Sequence, residues 1–143
     1  MNHLFVSLAF AIGICLLAGP VSAQDTEKLS DAEIAKRLAG RWAWRPTSKM
    51  FIDITFAKEQ TFTAVTAAGD LGYTASGSWK VEKGVLRMTT KKVSIGKEEV
   101  DVEKSSADWL IGPESRILSI DESTLRLASR TLPKDGLEFK KAK

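Results

Sequence analysis

Residues Tyr73 to Met88 read Tyr-Thr-Ala-Ser-Gly-Ser-Trp-Lys-Val-Glu-Lys-Gly-Val-Leu-Arg-Met. Tyr73, Ala75, Gly77, Trp79 and Val81 alternate with Thr74, Ser76, Ser78, Lys80 and Glu82. A period of two marks a strand with one buried and one wet face. Lys83-Gly84 then punctuates the run, and strand parity sizes the turn. A two-residue loop sets Val81 opposite Leu86 and Trp79 opposite Met88, all on one face. A three-residue loop would set Trp79 opposite Arg87 and put a charge in the apolar layer. Because a one-residue slip reverses every side chain, the even loop is predicted. It also faces Lys80 with Arg87 on the outside, a like-charge pair that needs Glu82 or an anion for relief.

The same period extends outward in both directions. Trp42 and Trp44 alternate with Arg41, Ala43 and Arg45; Met50, Ile52, Ile54 and Phe56 with Phe51, Asp53 and Thr55; Phe62, Ala64 and Thr66 with Thr61, Thr63 and Val65. Val93–Ile95 and Val100–Val102 flank a Gly96-Lys97 turn, Ile117–Ile120 and Thr124–Ala128 flank Asp121-Glu122-Ser123, and Pro133–Gly136 leads into Leu137-Glu138-Phe139. Eight to nine strands on short turns predict an all-β, antiparallel up-and-down barrel, which removes exposed sheet edges by closing on itself. A sandwich is the alternative, and the lack of long crossovers counts against it. The expected core is Trp42, Ile52, Ile54, Phe56, Phe62, Trp79, Leu86, Met88, Leu118 and Leu127. Helical signals occur in one place before the strands. Ser30-Asp31-Ala32-Glu33 has capping-box spacing, Leu29 and Ile34 are placed as a hydrophobic staple, and Gly40 reads as a left-handed stop, predicting a short helix over 31–39.

The first 23 residues read differently. Leu4 to Ala18 is apolar but for Ser7 and Gly13, shorter than the about 20 residues a spanning helix needs. Gly19-Pro20 breaks it and Val21-Ser22-Ala23 offers small residues to a signal peptidase, so residues 1–23 are expected to be an export signal cleaved after Ala23. No Lys or Arg precedes the run, which leaves an uncleaved anchor as the alternative. Residues 24–143 are then one domain, secreted or periplasmic, touching membrane only through that signal.

Composition excludes much of chemistry. The chain has one His and one Cys, His3 and Cys15, and one Asn, Asn2, all within the expected signal. What remains cannot form a thiolate nucleophile, a Ser–His pair, a zinc site of the usual ligands or a disulfide. The net charge of +3 is mild and its basic residues are interspersed with acids, so no nucleic-acid stripe is present. Ser94-Ile95-Gly96-Lys97 matches S-x-x-K, but strand signals surround the serine and no companion motif follows. Glu99, Asp101 and Glu103 share one strand face, where a solvated surface is favoured over a calcium site. No enzyme, cofactor or metal is expected.

Leu38-Ala39-Gly40-Arg41-Trp42 after a short helix resembles the G-x-W signature of the lipocalins. With Phe56…Thr61-Phe62, Gly77-Ser78-Trp79-Lys80-Val81, Gly84-Val85-Leu86, Leu125-Arg126-Leu127 and Phe139-Lys140-Lys141, the series is similar to short lipocalin-like proteins exported by bacteria, over roughly residues 33–141. The resemblance implies that Gly40, Trp42 and Trp79 are structural, and that Trp42 packs across a closed barrel end beneath a basic side chain from a late strand. Arg130 is the candidate for that cation. It also implies a binding protein, a monomer, for a small apolar molecule; an exported protein is the alternative partner, as for a hydrolase inhibitor. The expected ligand contacts are Trp44, Phe62 and Tyr73 on inward faces. Trp109, within Asp108–Pro113, joins them on a segment read as a lid or plug, or as a short strand closing the sheet.

Overall fold

Ser30 caps the helix that precedes the strands. Its Oγ accepts from the Glu33 N–H at 3.2 Å, and the Glu33 carboxylate accepts from the Ser30 N–H at 3.1 Å. The helix α1, Asp31–Leu38, follows, with Ile34 and Leu38 fully buried. The computed structural model describes residues 29–102, 113–130 and 132–143; the expected export signal, Glu103 and Trp109 lie outside them.

Among the described residues nine strands follow: β1 Gly40–Thr47, β2 Met50–Phe56, β3 Thr61–Ala68, β4 Leu71–Glu82, β5 Val85–Ile95, β6 Glu98–Val100, β7 Glu114–Ile120, β8 Thr124–Ala128 and β9 Leu137–Ala142. The sheet order is β4-β3-β2-β1-β9-β8-β7-β5-β6, and β4 also pairs with β5. That last pairing closes eight antiparallel strands into an up-and-down barrel. The ninth, β6, lies outside the ring against the far part of β5, with Val93 opposite Val100.

The central hairpin has the expected register: Trp79 opposite Met88, Val81 opposite Leu86 and Lys80 opposite Arg87. Lys83 and Gly84 both have positive φ, 52° and 73°. That is the turn geometry whose twist matches a tight hairpin. Glu82 relieves the like-charge pair, lying 2.9 Å from both Lys80 Nζ and Arg87 Nε. Lys80 chiefly, and Arg87, hold the Glu82 carboxyl below its ordinary value.

Three irregularities re-aim strands. In β1, one extra residue is accommodated between Trp44 and Thr47, where Pro46 lacks an N–H to give to a ladder. In β5, Gly77 pairs with Thr90 and Ser76 with Lys92, leaving Lys91 extra. The backbone folds in so closely there that a Cβ on Gly77 would lie 1.9 Å from the Thr89 carbonyl oxygen. In β7, Ile117 pairs with Leu127 and Ser119 with Arg126, so Leu118 is the extra residue. This corrects the expected core. The bulge turns Ile117 and Ile120 both inward, while Leu118 is half-buried with its Cδ1 3.1 Å from where a Gly136 Cβ would stand. The other nine expected core residues are buried.

Candidate functional site

The two ends of the barrel are built from different residue sizes. At the helix end the ladder carries Gly40–Phe56–Phe62–Gly77–Thr90 across β1 to β5. Phe56 meets Trp79 edge to face, with centroids 5.4 Å apart, and Trp79 Nε1 donates to the Ala57 carbonyl at 3.1 Å. Trp42 is fully buried, and its Nε1 donates to the Leu38 carbonyl at 2.7 Å, satisfying an orphan at the end of α1. Asp31 fastens the other end of the helix: its carboxylate accepts from the Lys83 and Gly84 N–H groups at 2.8 and 3.0 Å. Helix and hairpin together close this end.

The cation over Trp42 is Lys141, not Arg130. Lys141 Nζ lies 5.0 Å from the indole centroid and donates to the Arg37 carbonyl at 3.2 Å. Arg130 follows β8 at the far end of the barrel and is exposed. Gly40 permits the stacking. Its φ is +125°, and a Cβ there would sit 3.1 Å from Lys141 Cε.

Towards the far end the next inward ladder row is Trp42–Ile54–Ala64–Ala75–Val93, and the one beyond it is Trp44–Ile52–Thr66–Tyr73–Ile95. The β3–β4 wall thus changes from Phe62 and Trp79 to Ala64 and Ala75. Trp44, Val102 and Leu132 are each partly buried against the core. Met50, Leu71 and Ile95 are 47%, 54% and 37% exposed at this rim.

Of the expected ligand contacts, Trp44 and Tyr73 share one row. Phe62 does not join them. It lies four residues nearer the helix end than Thr66, about 13 Å along the strand. There it is buried, with its ring 3.0 Å from where a Gly77 Cβ would stand. Thr66, which the sequence reading did not single out, lies between Ile52 and Tyr73 in that row. It is 4% exposed, and its Oγ1 has no hydrogen-bond partner among the described residues. The signal was visible in the alternation, as a hydroxyl at an inward position between two apolar neighbours. A second hydroxyl without a partner among the described residues, Ser115 Oγ, is fully buried opposite Leu86, near the helix end.

The barrel's charges act elsewhere. Asp53 faces outward, where Arg41 Nη2 reaches its Oδ2 at 2.7 Å and Arg45 joins the same oxygen; the Arg45 guanidinium also lies 4.4 Å over the Phe51 ring. Outside the helix end, a groove of about 720 Å³ is lined by Glu33, Lys36, Arg37, Asp121, Glu122 and Lys141. Glu33 caps α1, and Asp121 accepts from the Ser123 and Thr124 N–H groups, which hold its carboxyl below the usual value. Ser94 lies within a strand and Gly96 within a turn. Among the described residues, no group of three or more His, Cys, Asp or Glu is placed to hold a metal ion.

The chain matches no protein-family model and no curated protein. Its function is to be read from the barrel.

Proposed function

We propose that the chain is an exported, lipocalin-like binding protein, related to the short bacterial members of that family, which holds a small apolar molecule without transforming it. One observation carries this reading: inward side chains are large at the helix end and small on the β3–β4 wall beyond it, beneath an apolar rim. An eight-stranded barrel is just wide enough either to be filled by its own side chains or to hold one small ligand, so side-chain size decides between them. Trp44 and Tyr73 offer aromatic faces, and Trp109 belongs to the segment expected to cover the mouth. Export follows from the reading of residues 1–23, and binding rather than turnover from the lack of His and Cys after them. The protein acts as a monomer without cofactor or nucleic acid.

Burial of roughly 250 Å² of apolar surface at about 25 cal/mol per Å² supplies roughly 6 kcal/mol before the costs of association. A net affinity near micromolar follows, fit for a carrier or sensor. The test is titration of intrinsic tryptophan fluorescence with fatty acids, retinoid-like and aromatic compounds, with Trp44→Phe as the comparison. A saturable shift that weakens in Trp44→Phe supports the reading. No shift with any compound, together with an interior filled by its own side chains, sinks it. The exposed Met50, Leu71 and Ile95 favour a second reading, in which the same rim docks an exported protein such as a hydrolase. Co-purification of such a protein with the exported barrel, dependent on Leu71, would favour that alternative.

A further inference from the structure

We propose that the groove outside the helix end is a second binding site, independent of what the barrel interior holds, and that it takes a short peptide with both termini charged. The groove, of about 720 Å³, is lined by three cations, Lys36, Arg37 and Lys141, and three acids, Glu33, Asp121 and Glu122. Most of the two signs lie on different walls. Lys36 and Arg37 stand on the last turn of α1 with Lys141 on β9, whereas Asp121 and Glu122 stand on the turn between β7 and β8. Lys141 ties these walls together. Its backbone N–H donates to the Ser123 carbonyl at 2.8 Å, and its Nζ donates to the Arg37 carbonyl at 3.2 Å. The acidic turn is fixed as well, since Asp121 Oδ1 accepts from the Ser123 and Thr124 N–H groups at 2.7 Å each.

The groups left uncommitted define the ligand. Glu33 Oε2 accepts from the Ser30 N–H and hydroxyl, and Lys141 is engaged by the Arg37 carbonyl and the Trp42 ring. Lys36 and Glu122 make no hydrogen bond or ion pair among the described residues, so each wall keeps one free charge. The six lining charges balance. A simple anion drawn to the first wall is therefore repelled by the second, and a simple cation meets the reverse. A molecule of zero net charge whose own charges are set apart is attracted by both. In a free amino acid the two charges share one carbon, whereas a peptide carries them at opposite ends. None of the six residues has an aromatic ring, so the cation that suits them is a primary ammonium donating hydrogen bonds, not a quaternary one that needs an aromatic cage. The volume lies within the roughly 300–1,000 Å³ of ligand clefts, room for a few residues. The peptide's carboxylate pairs with Lys36 and its ammonium with Glu122.

The experiment titrates the protein with four peptides of one shape at about pH 6.5, where both free termini are ionised: triglycine, N-acetyl-triglycine, triglycine amide and N-acetyl-triglycine amide. Amide shifts in nuclear magnetic resonance report affinity and place together. Triglycine should bind tightest and move the amides of Lys36, Glu122 and Lys141. Each singly charged peptide should bind about three- to fivefold weaker, the upper range for one exposed ion pair, and the neutral peptide weakest. Lys36→Gln should weaken triglycine and N-acetyl-triglycine by about the same factor and leave triglycine amide unchanged. Glu122→Gln should weaken triglycine and triglycine amide and leave N-acetyl-triglycine unchanged. Both side chains are exposed, so neither exchange should move the thermal midpoint. Four peptides binding within about twofold of one another, or affinities insensitive to both variants, overturn the inference. Tighter binding of either singly charged peptide than of triglycine also overturns it, because the groove then serves one ion alone. Failure of all four to shift the groove residues does the same. None of these outcomes bears on the small-ligand reading of the barrel interior.

Discussion

Trp42→Ala is the most searching perturbation of this barrel, because three independent interactions meet on one fully buried ring. A tryptophan buries up to about 250 Å², worth about 6 kcal/mol at 25 cal/mol per Å² against an extended chain. Real denatured chains already bury part of that surface, which lowers the figure to roughly 4 kcal/mol. The Nε1–H to Leu38 hydrogen bond adds about 1 kcal/mol, and its loss leaves the helix's last carbonyl unpaired inside. Lys141 over the ring adds about 0.5–1 kcal/mol. The alanine itself keeps apolar area worth about 1 kcal/mol, so a loss of about 4–5 kcal/mol is expected, at the upper end of the range measured for large aromatic truncations. Urea unfolding followed by far-ultraviolet circular dichroism reads it without relying on tryptophan emission; the midpoint should fall by roughly 2 M with the slope unchanged. Trp42→Phe keeps most of the apolar area and should lose about 2 kcal/mol. Lys141→Met should lose about 0.5–1 kcal/mol, whereas Arg130→Ala, on the exposed far side, should change stability by less than about 0.5 kcal/mol. A Trp42→Ala loss below about 2 kcal/mol, or an Arg130 effect larger than that of Lys141, would refute the account of the closed end.

Gly77→Ala should destabilise by about 3 kcal/mol or more in the same assay, because its Cβ would meet the Thr89 carbonyl at 1.9 Å and backbone cannot step aside cheaply. Asp31→Ala removes the acceptor for the Lys83 and Gly84 N–H groups and should lower stability by about 1–2 kcal/mol, with faster amide exchange at those two positions. Acid should weaken the fold. Glu33, Glu82, Asp121 and Glu138 are held below their ordinary values, chiefly by hydrogen bonds from the Ser30 backbone, Lys80, the Ser123 backbone and Lys140 respectively. A depressed folded value stabilises above the unfolded value and is lost as pH falls through the folded one, so the thermal midpoint should drop below about pH 4.5. Asp121→Asn should shallow that drop, and a midpoint that rose on acidification would contradict these assignments.

Strand parity was legible wherever a strand stayed regular. The Tyr73–Met88 hairpin could be registered residue by residue because a slip would have buried Arg87, and the Ser30–Glu33 spacing located α1. What could not be read was where parity changes. Leu118, Lys91 and the Arg45-Pro46 step all sit at bulges, and a bulge is set by how the ring closes rather than by the local pattern. The same holds for Lys141. Its place over Trp42 depends on β9 pairing with β1, Trp42 opposite Lys141, a contact between the two ends of the domain. Phe62 and Thr66 share an inward face, so parity could not tell core from candidate site. Only their positions along the strand separate them.

That separation bears on why a chain of this size divides its interior. Its firmest attachments gather at the helix end: Asp31 on the hairpin turn, Trp42 on Leu38, Trp79 on Ala57, Phe56 against Trp79. All but the Trp42–Leu38 bond, whose partners are four residues apart, join segments distant in sequence. The far end has smaller side chains on β3 and β4 and three exposed apolar residues at its rim. A barrel selected only for stability would replace Thr66 with valine and enlarge Ala64 or Ala75, since well-fitted apolar substitutions of this kind are among the simpler routes to stability. On the proposed binding reading, these three residues are stability forgone to leave room for a ligand. If single Ala64→Val and Ala75→Val exchanges are tolerated with raised thermal midpoints and lost probe binding, packing and binding compete for the same space. If both exchanges unfold the protein, that space was already full, and the rim becomes the place to look for function.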